Sequence, residues 1–265
     1  MLRVYQVDAF TDVPFRGNPA AVCVLDQAVP DQWMQDVAAE MNLSETAFVL
    51  KATGGYSLRW FTPRKEVSLC GHATLATAHI LWSEGLENGS IRFQTASGTL
   101  AAEADNGFIV LDFPARMVQR CQPIDQIHAA LGVAHAQFTG QYITPRGVTY
   151  FAELDSEASV RHLQPDFKSL AAAPARATIV TSRSSSDEYD FVSRYFAPAI
   201  GIDEDPVTGS AHCCLAPYWS AAMGKARLTG LQVSQRGGVV VCRHQNDRVF
   251  LEGKAVTVLK ADLLV

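Results

Sequence analysis

The sequence predicts an α+β protein made of two similar halves. Three observations carry that prediction: short alternating apolar and polar runs recur along the chain, few segments show helical spacing, and two windows from opposite halves can be laid on each other. At 265 residues the chain is long enough for two domains, each burying its own core.

In order, strands are expected at residues 4–10, 20–25, 46–50, 56–61, 91–94, 98–103 and 108–113. One helix falls among the first of them at residues 30–40, where Asp31 can cap and Trp33, Met34, Val37 and Ala38 sit at helical spacing. A second, more apolar helix is expected after Gly71. FPARMVQRCQP, residues 113–123, breaks the pattern with two prolines and scattered polar groups, which marks a boundary. The expected domains are therefore residues 1–116 and 117–254, with a last strand at about 255–265 returning to the first. The second half repeats the plan, with strands near 136–143, 148–153, 178–181 and 189–196, a helix from Gly209, and strands to the end.

The repeat extends to residues. WFTPRKEVSLCGHATLATAHILW (60–82) lies on YFAPAIGIDEDPVTGSAHCCLAPYW (195–219) with an aromatic pair, a proline two residues on, Gly71 against Gly209 and a closing Trp82 against Trp219. The spacing differs by two or three residues, so this is a degenerate repeat and not a tandem array.

Composition excludes several classes. A charged fraction of 18% beside 48% hydrophobic residues is that of a folded globular chain. The net charge of −5, with Lys and Arg scattered, gives no footprint for nucleic acid. No run of about 18 apolar residues is present, so no membrane-spanning helix is expected. The start, MLRVYQVDAF, alternates like a strand and carries no leader pattern, so a cytoplasmic location is expected. Six cysteines without CxxC spacing are expected to be reduced thiols.

Gly71 and Gly209 each open a helix whose first residues are small, leaving first-turn N–H groups accessible to an anion. If the halves face each other, both helix starts point into one cleft, where a carboxylate could be held; otherwise the glycines only permit tight turns. Glu45, in MNLSETAFVL, stands where a helix exit meets an apolar strand. A carboxylate there can face a cleft among buried neighbours, a setting for acid/base work. The spacing from Asn42 to Glu45 also fits a capping box. Asp205 precedes Pro206, which biases it to extended backbone, four residues before the helix glycine. Asp203 and Glu204 read as solvated loop charges. His72 sits on the first turn of its helix, where a helix N-terminus favours a neutral ring; alone it reads equally as a surface histidine. No HxxxH or CxxC spacing accompanies His72, His79 and His212, so no metal is expected. Cys70 reads as a buried thiol, or as a thiolate near a helix start. Nucleotide and serine-hydrolase motifs are missing.

Four segments in order, VDAFTDVPFRGNPAAVCVL (7–25), MNLSETAFVL (41–50), WFTPRKEVSLCGHATLATA (60–78) and DEDPVTGSAH (203–212), resemble the signature segments of the PhzF-like phenazine-biosynthesis family. The resemblance implies a diaminopimelate epimerase-like fold: two similar domains, each a β-barrel-like sheet around a central helix, with the active site in the interdomain cleft. It also implies a cofactor-independent isomerase that moves a proton on a small carboxylate such as a dihydro-hydroxyanthranilate. Glu45 takes the place of the family's proton-shuttling glutamate, and His72 and Asp205 those of groups that position substrate and assist transfer. Asn18, Gly71, Thr208, Gly209 and Ser210 are the substrate-binding positions it implies. A homodimer is implied as well. The related epimerases use two cysteines; Cys70 fits the first place, but Pro206 falls at the second, which disfavours a two-thiol racemase. The alternatives are an amino-acid epimerase or a binding protein that kept the fold.

Overall fold

The computed structural model describes residues 2–264. By contacts it divides into two units: the residues up to Phe113 together with those from Phe250, and Pro114–Val249.

Along the chain, the first unit begins with β1 (Leu2–Ala9), β2 (Asn18–Leu25), α1 (Asp31–Met41), β3 (Glu45–Ala52), β4 (Gly55–Phe61), the short β5 (Glu66–Val67) and α2 (Gly71–Ser83). It continues through β6 (Ile91–Thr95), β7 (Gly98–Asp105) and β8 (Phe108–Pro114). The second unit holds β9 (Gln119–Arg120), α3 (Asp125–Leu131), β10 (Phe138–Thr144), β11 (Gly147–Glu153), α4 (Glu157–Arg161), α5 (Phe167–Ala171), β12 (Ala177–Arg183) and β13 (Phe191–Ala197). There follow β14 (Ile202–Asp205), α6 (Gly209–Met223), β15 (Arg227–Gln232) and β16 (Gly238–Gln245); β17 (Arg248–Gly253) begins in the second unit and belongs to the first from Phe250 on. Finally β18 (Ala255–Leu263) pairs antiparallel with β1.

The pairing scheme is the same in both units. An antiparallel pair (β1–β2; β10–β11) leads to a parallel one (β2–β3; β11–β12) and then an antiparallel one (β3–β4; β12–β13). The edge of the next strand is then shared: β4 pairs antiparallel with β5 before its helix and parallel with β6 after it, and β13 does the same with β14 and β15. The helix between these two partners is the crossover that a parallel pairing requires. The register matches as well, since Trp60 faces Val67 as Tyr195 faces Asp205.

Each crossover helix is buried on almost every side. In α2 nine of thirteen residues are buried, among them Ala73, Leu75, Ala76, Ala78, Ile80 and Leu81, and the helix packs against β1, β2, β3 and β18. Apolar residues all round a helix mark it as a core element. Its alanines keep it slim enough for strands to pass close by. In α6 the buried set includes Ala211, Cys214, Leu215, Ala216 and Trp219, packed on β15 and β16. Trp219 stacks on Phe191 at 6.0 Å, and its indole N–H donates to Thr181 Oγ1 at 3.0 Å. Around α1, Phe48 packs edge-on to both Trp33 and Phe61.

Some local expectations are corrected. Asp31 does not cap α1: Pro30 occupies that position, and Asp31 accepts instead from Arg59 Nη1 at 2.7 Å. Asn42 closes α1 in left-handed backbone (φ 50°) and Glu45 starts β3, so the capping-box alternative fails; Asn42 ends a helix and opens none. Helix α6 runs through Pro217 to Met223, past the repeat window. Glu204 is no loop charge: on β14 it accepts from Arg194 Nε and Nη2 at 2.7 and 2.8 Å, a partly buried bidentate pair. Helices α3, α4 and α5 were not anticipated. At five to seven residues they are too short for periodicity to show, and α4 and α5 rest on their capping residues, Ser156 and Asp166. Among the described residues, no helix is long and apolar enough to cross a membrane.

The loop entering β2 depends on one glycine. Gly17 has φ +65°, and a Cβ there would lie 2.2 Å from the Ala9 carbonyl oxygen, a backbone atom that cannot swing away. Gly17→Ala is expected to lower the unfolding free energy by about 1–3 kcal/mol in denaturant titrations; an unchanged midpoint would show that the loop re-forms around the methyl group.

Candidate active site

The sequence-predicted residues fall into two groups, one in each unit. In the first unit, Glu45 is the first residue of β3 and pairs in register with Ala20 of β2. Asn18 is two residues back along β2, fully buried at the same strand end. Cys70 forms the extended cap of α2, Gly71 is its first residue and His72 its second. The strand end and the helix start thus bring a carboxylate, a thiol and an imidazole together. Glu45 Oε2 lies 3.3 Å from His72 Nε2, and Cys70 Sγ lies 3.5 Å from Nδ1 of the same ring.

Burial differs within the group. Cys70 and His72 are closed off, at 7% and 6% exposure, while the Glu45 side chain retains 14%. The carboxylate is therefore the member that a ligand can reach. His72 is not the surface histidine of the alternative reading. Two influences act on it in opposite senses: the carboxylate at 3.3 Å favours imidazolium, while burial disfavours any charge. Burial dominates and holds the pKa down at about 3, so the ring is neutral at physiological pH. The neutral state was expected from the helix N-terminus, but desolvation is its cause.

A neutral ring carries one N–H, on either nitrogen. The Glu45 carboxylate stands at Nε2, whereas Sγ of Cys70, 3.5 Å from Nδ1 and 4.0 Å from Nε2, stands beside the ring and along neither N–H direction. The cap is firm: Thr74 N–H and Thr74 Oγ1 both donate to the Cys70 carbonyl, at 3.1 and 2.6 Å.

In the second unit the turn from β14 into α6 gathers Asp205, Thr208, Gly209 and Ser210. Thr208 caps α6 in extended backbone, and its hydroxyl donates to Asp205 Oδ2. Gly209 is buried and Ser210 exposed at the helix start. One residue that sequence reasoning missed organises this turn. The fully buried Gln232, last in β15, accepts from Thr208 N–H at 2.9 Å and donates from Nε2 to the Asp205 carbonyl at 2.6 Å and Thr208 Oγ1 at 3.2 Å. Its sequence signal is slight, a single amide ending the run RLTGLQ. His212, one turn into α6, is buried with Nδ1 2.8 Å from the Thr208 carbonyl; burial lowers its pKa to about 4. The thiols of Cys213 and Cys214 are pushed well up by burial, which makes both poor nucleophiles.

The chain thus has a mixed α/β fold with a large sheet and buried crossover helices, and carries a carboxylate–imidazole–thiol cluster at one helix start. Comparison with known proteins agrees. The family model for phenazine biosynthesis-like proteins (PhzC-PhzF) matches residues 7–261, and the chain belongs to that family. A protein of Halalkalibacterium halodurans named as an uncharacterized isomerase is 50% identical over 99% of this chain and 98% of its own. A crystal structure of a PhzF-family protein from Enterococcus faecalis superposes with a TM-score of 0.92 at 40% identity, covering 100% of this chain and 99% of that one. A structure described as a predicted epimerase from Pseudomonas aeruginosa superposes at 0.73 with 18% identity over the full length of both chains, which shows the shared fold.

Two expected outcomes follow from the geometry. The folded chain withholds a proton from His72 between pH of about 6.5, the unfolded value, and about 3, whereas the unfolded chain binds it. Stability should therefore fall as pH drops through that window, and His72→Asn should flatten the slope; equal slopes in urea titrations of both proteins would refute the assignment. Gln232→Leu strips Thr208 N–H and the Asp205 carbonyl of their partners. It should cost about 1–3 kcal/mol in the same titrations, and no loss would mean that the turn holds without the amide.

Proposed function

We propose that the protein is a cofactor-independent isomerase that shifts a proton between two carbons of a small carboxylate, with Glu45 as the shuttling group. The observation that carries this reading is the accessible Glu45 carboxylate set 3.3 Å from a buried, neutral imidazole. Family membership and a relative bearing the name isomerase support it.

The proposed chemistry starts with Glu45 ionised, 3.3 Å from Nε2 of the neutral His72. Glu45 removes a proton from an activated substrate carbon and becomes the acid. The electron pair delocalises through the adjacent unsaturation, and the carboxylic acid returns the proton to a second carbon on the same face. Charge stays balanced, because the carboxylate's negative charge passes to the substrate and back. General acid/base help of this kind is worth about 10²–10⁴ in rate. Within the proposal, Asp205 and the N–H groups of Gly209 and Ser210 engage the substrate's polar groups, as the sequence resemblance implies, and a dihydro-hydroxyanthranilate-like compound is the first substrate to try. Two-thiol epimerisation is disfavoured because Pro206 stands where the resemblance to the epimerases places the second cysteine.

The test is a thermal-shift screen of small unsaturated carboxylates, followed by solvent deuterium incorporation into every binder. Wild type should incorporate deuterium at the accepting carbon. Glu45→Gln should lose at least about 10²-fold in that rate while binding the same compound within a few-fold. Incorporation that survives the substitution removes Glu45 from the mechanism, and binding without exchange in wild type favours a binding protein.

A further inference from the structure

The three side chains of the first-unit cluster also form a ligand set that no sequence spacing marks. Glu45 at a strand start, Cys70 at a helix cap and His72 on the first turn offer a carboxylate oxygen, a sulfur and an imidazole nitrogen within 4.8 Å of one another. Zinc takes these three donor types, with bonds of about 2.0–2.3 Å, so donor atoms around a tetrahedral ion stand about 3.3–3.6 Å apart. Oε2 to Nε2 is already 3.3 Å. Sγ is 4.0 Å from the same nitrogen and 3.5 Å from Nδ1, so closing the set around Nε2 requires the Cys70 side chain to turn about its Cα–Cβ bond toward the carboxylate, which lies within 4.8 Å. The carboxylate is the exposed corner and gives an ion its way in. Three protein ligands leave the fourth position for water or for a substrate group.

We propose that Glu45, Cys70 and His72 bind a thiophilic divalent cation, zinc foremost, and that the bound cation inhibits the enzyme. Binding converts the Cys70 thiol to a zinc-bound thiolate, a proton leaves to the buffer, and no oxidation state changes. The ion occupies the His72 lone pair and the Glu45 oxygen that proton transfer uses. The inhibitory half rests on the function proposed above, whereas the binding half does not.

Cobalt(II) added to metal-free protein is the probe. One equivalent should bind, with a thiolate-to-cobalt charge-transfer absorption, release of about one proton per ion, and displacement by zinc. Cys70→Ser, nearly isosteric, should abolish the charge-transfer band. Glu45→Gln and His72→Gln should each weaken binding at least about 10-fold, while the Cys213→Ser, Cys214→Ser double variant should behave as wild type. Absence of the band, its survival in Cys70→Ser, or unchanged affinity in both Glu45→Gln and His72→Gln overturns the site. The two readings fail separately: cobalt bound at Cys70 without isomerase activity sinks the function alone. Deuterium exchange without metal binding sinks the cation site alone, and exchange unaffected by saturating zinc sinks the inhibition.

Discussion

A helix that is apolar on every face has to be covered on every face. Nine of the thirteen residues of α2 are buried, and leaving its Leu, Ile and Ala side chains in water would cost more than any single polar interaction in the unit could return. Strands from two separate stretches, β1 to β3 early in the chain and β18 at its end, pack against it. The same requirement recurs with α6, which explains why both crossover helices are embedded in one and the same order of strand pairings. Parallel pairing of β4 with β6 and of β13 with β15 is the topological consequence.

The chemistry follows from that burial. A core helix cannot hide its first turn by packing alone, because the N–H groups there need partners or solvent. At α2 the first turn opens with an extended cysteine cap, a glycine and a histidine and no side-chain cap, and the start of β3 brings Glu45 alongside. Burial then keeps His72 uncharged against the pull of its own carboxylate neighbour. At α6 the equivalent turn is held differently, through Gln232 reaching from β15 to both Asp205 and Thr208. One architecture therefore carries a turn with a buried imidazole beside a carboxylate in one unit and a hydrogen-bonded, carboxylate-bearing turn in the other.

Much of this was legible in the sequence. Alternating and apolar runs located the longer first-unit strands to within a few residues, including β2 and β3, whose consecutive residues are buried on both faces. Gly71 and Gly209 were read as helix starts, and α2 and α6 begin at those residues. Four ordered segments were enough to identify the family. Signals that depend on one short stretch were weaker. Asp31 looked like a cap because cap and first-turn positions share a composition, and only the position of Arg59 on β4 decides where its carboxylate goes. Glu204 looked solvated because Arg194, ten residues earlier, becomes its neighbour only when β13 and β14 pair.

By itself, then, the sequence determined the periodicity of each element, the two glycine-led helices, the internal repeat and the family, because these rest on side-chain type at local spacing. Tertiary structure alone decided that Glu45, Cys70 and His72 meet, that the imidazole is neutral through burial, and that Gln232 ties down the Asp205 turn. These depend on strand register and on exclusion of water, and both arise only when segments far apart in the chain pack together.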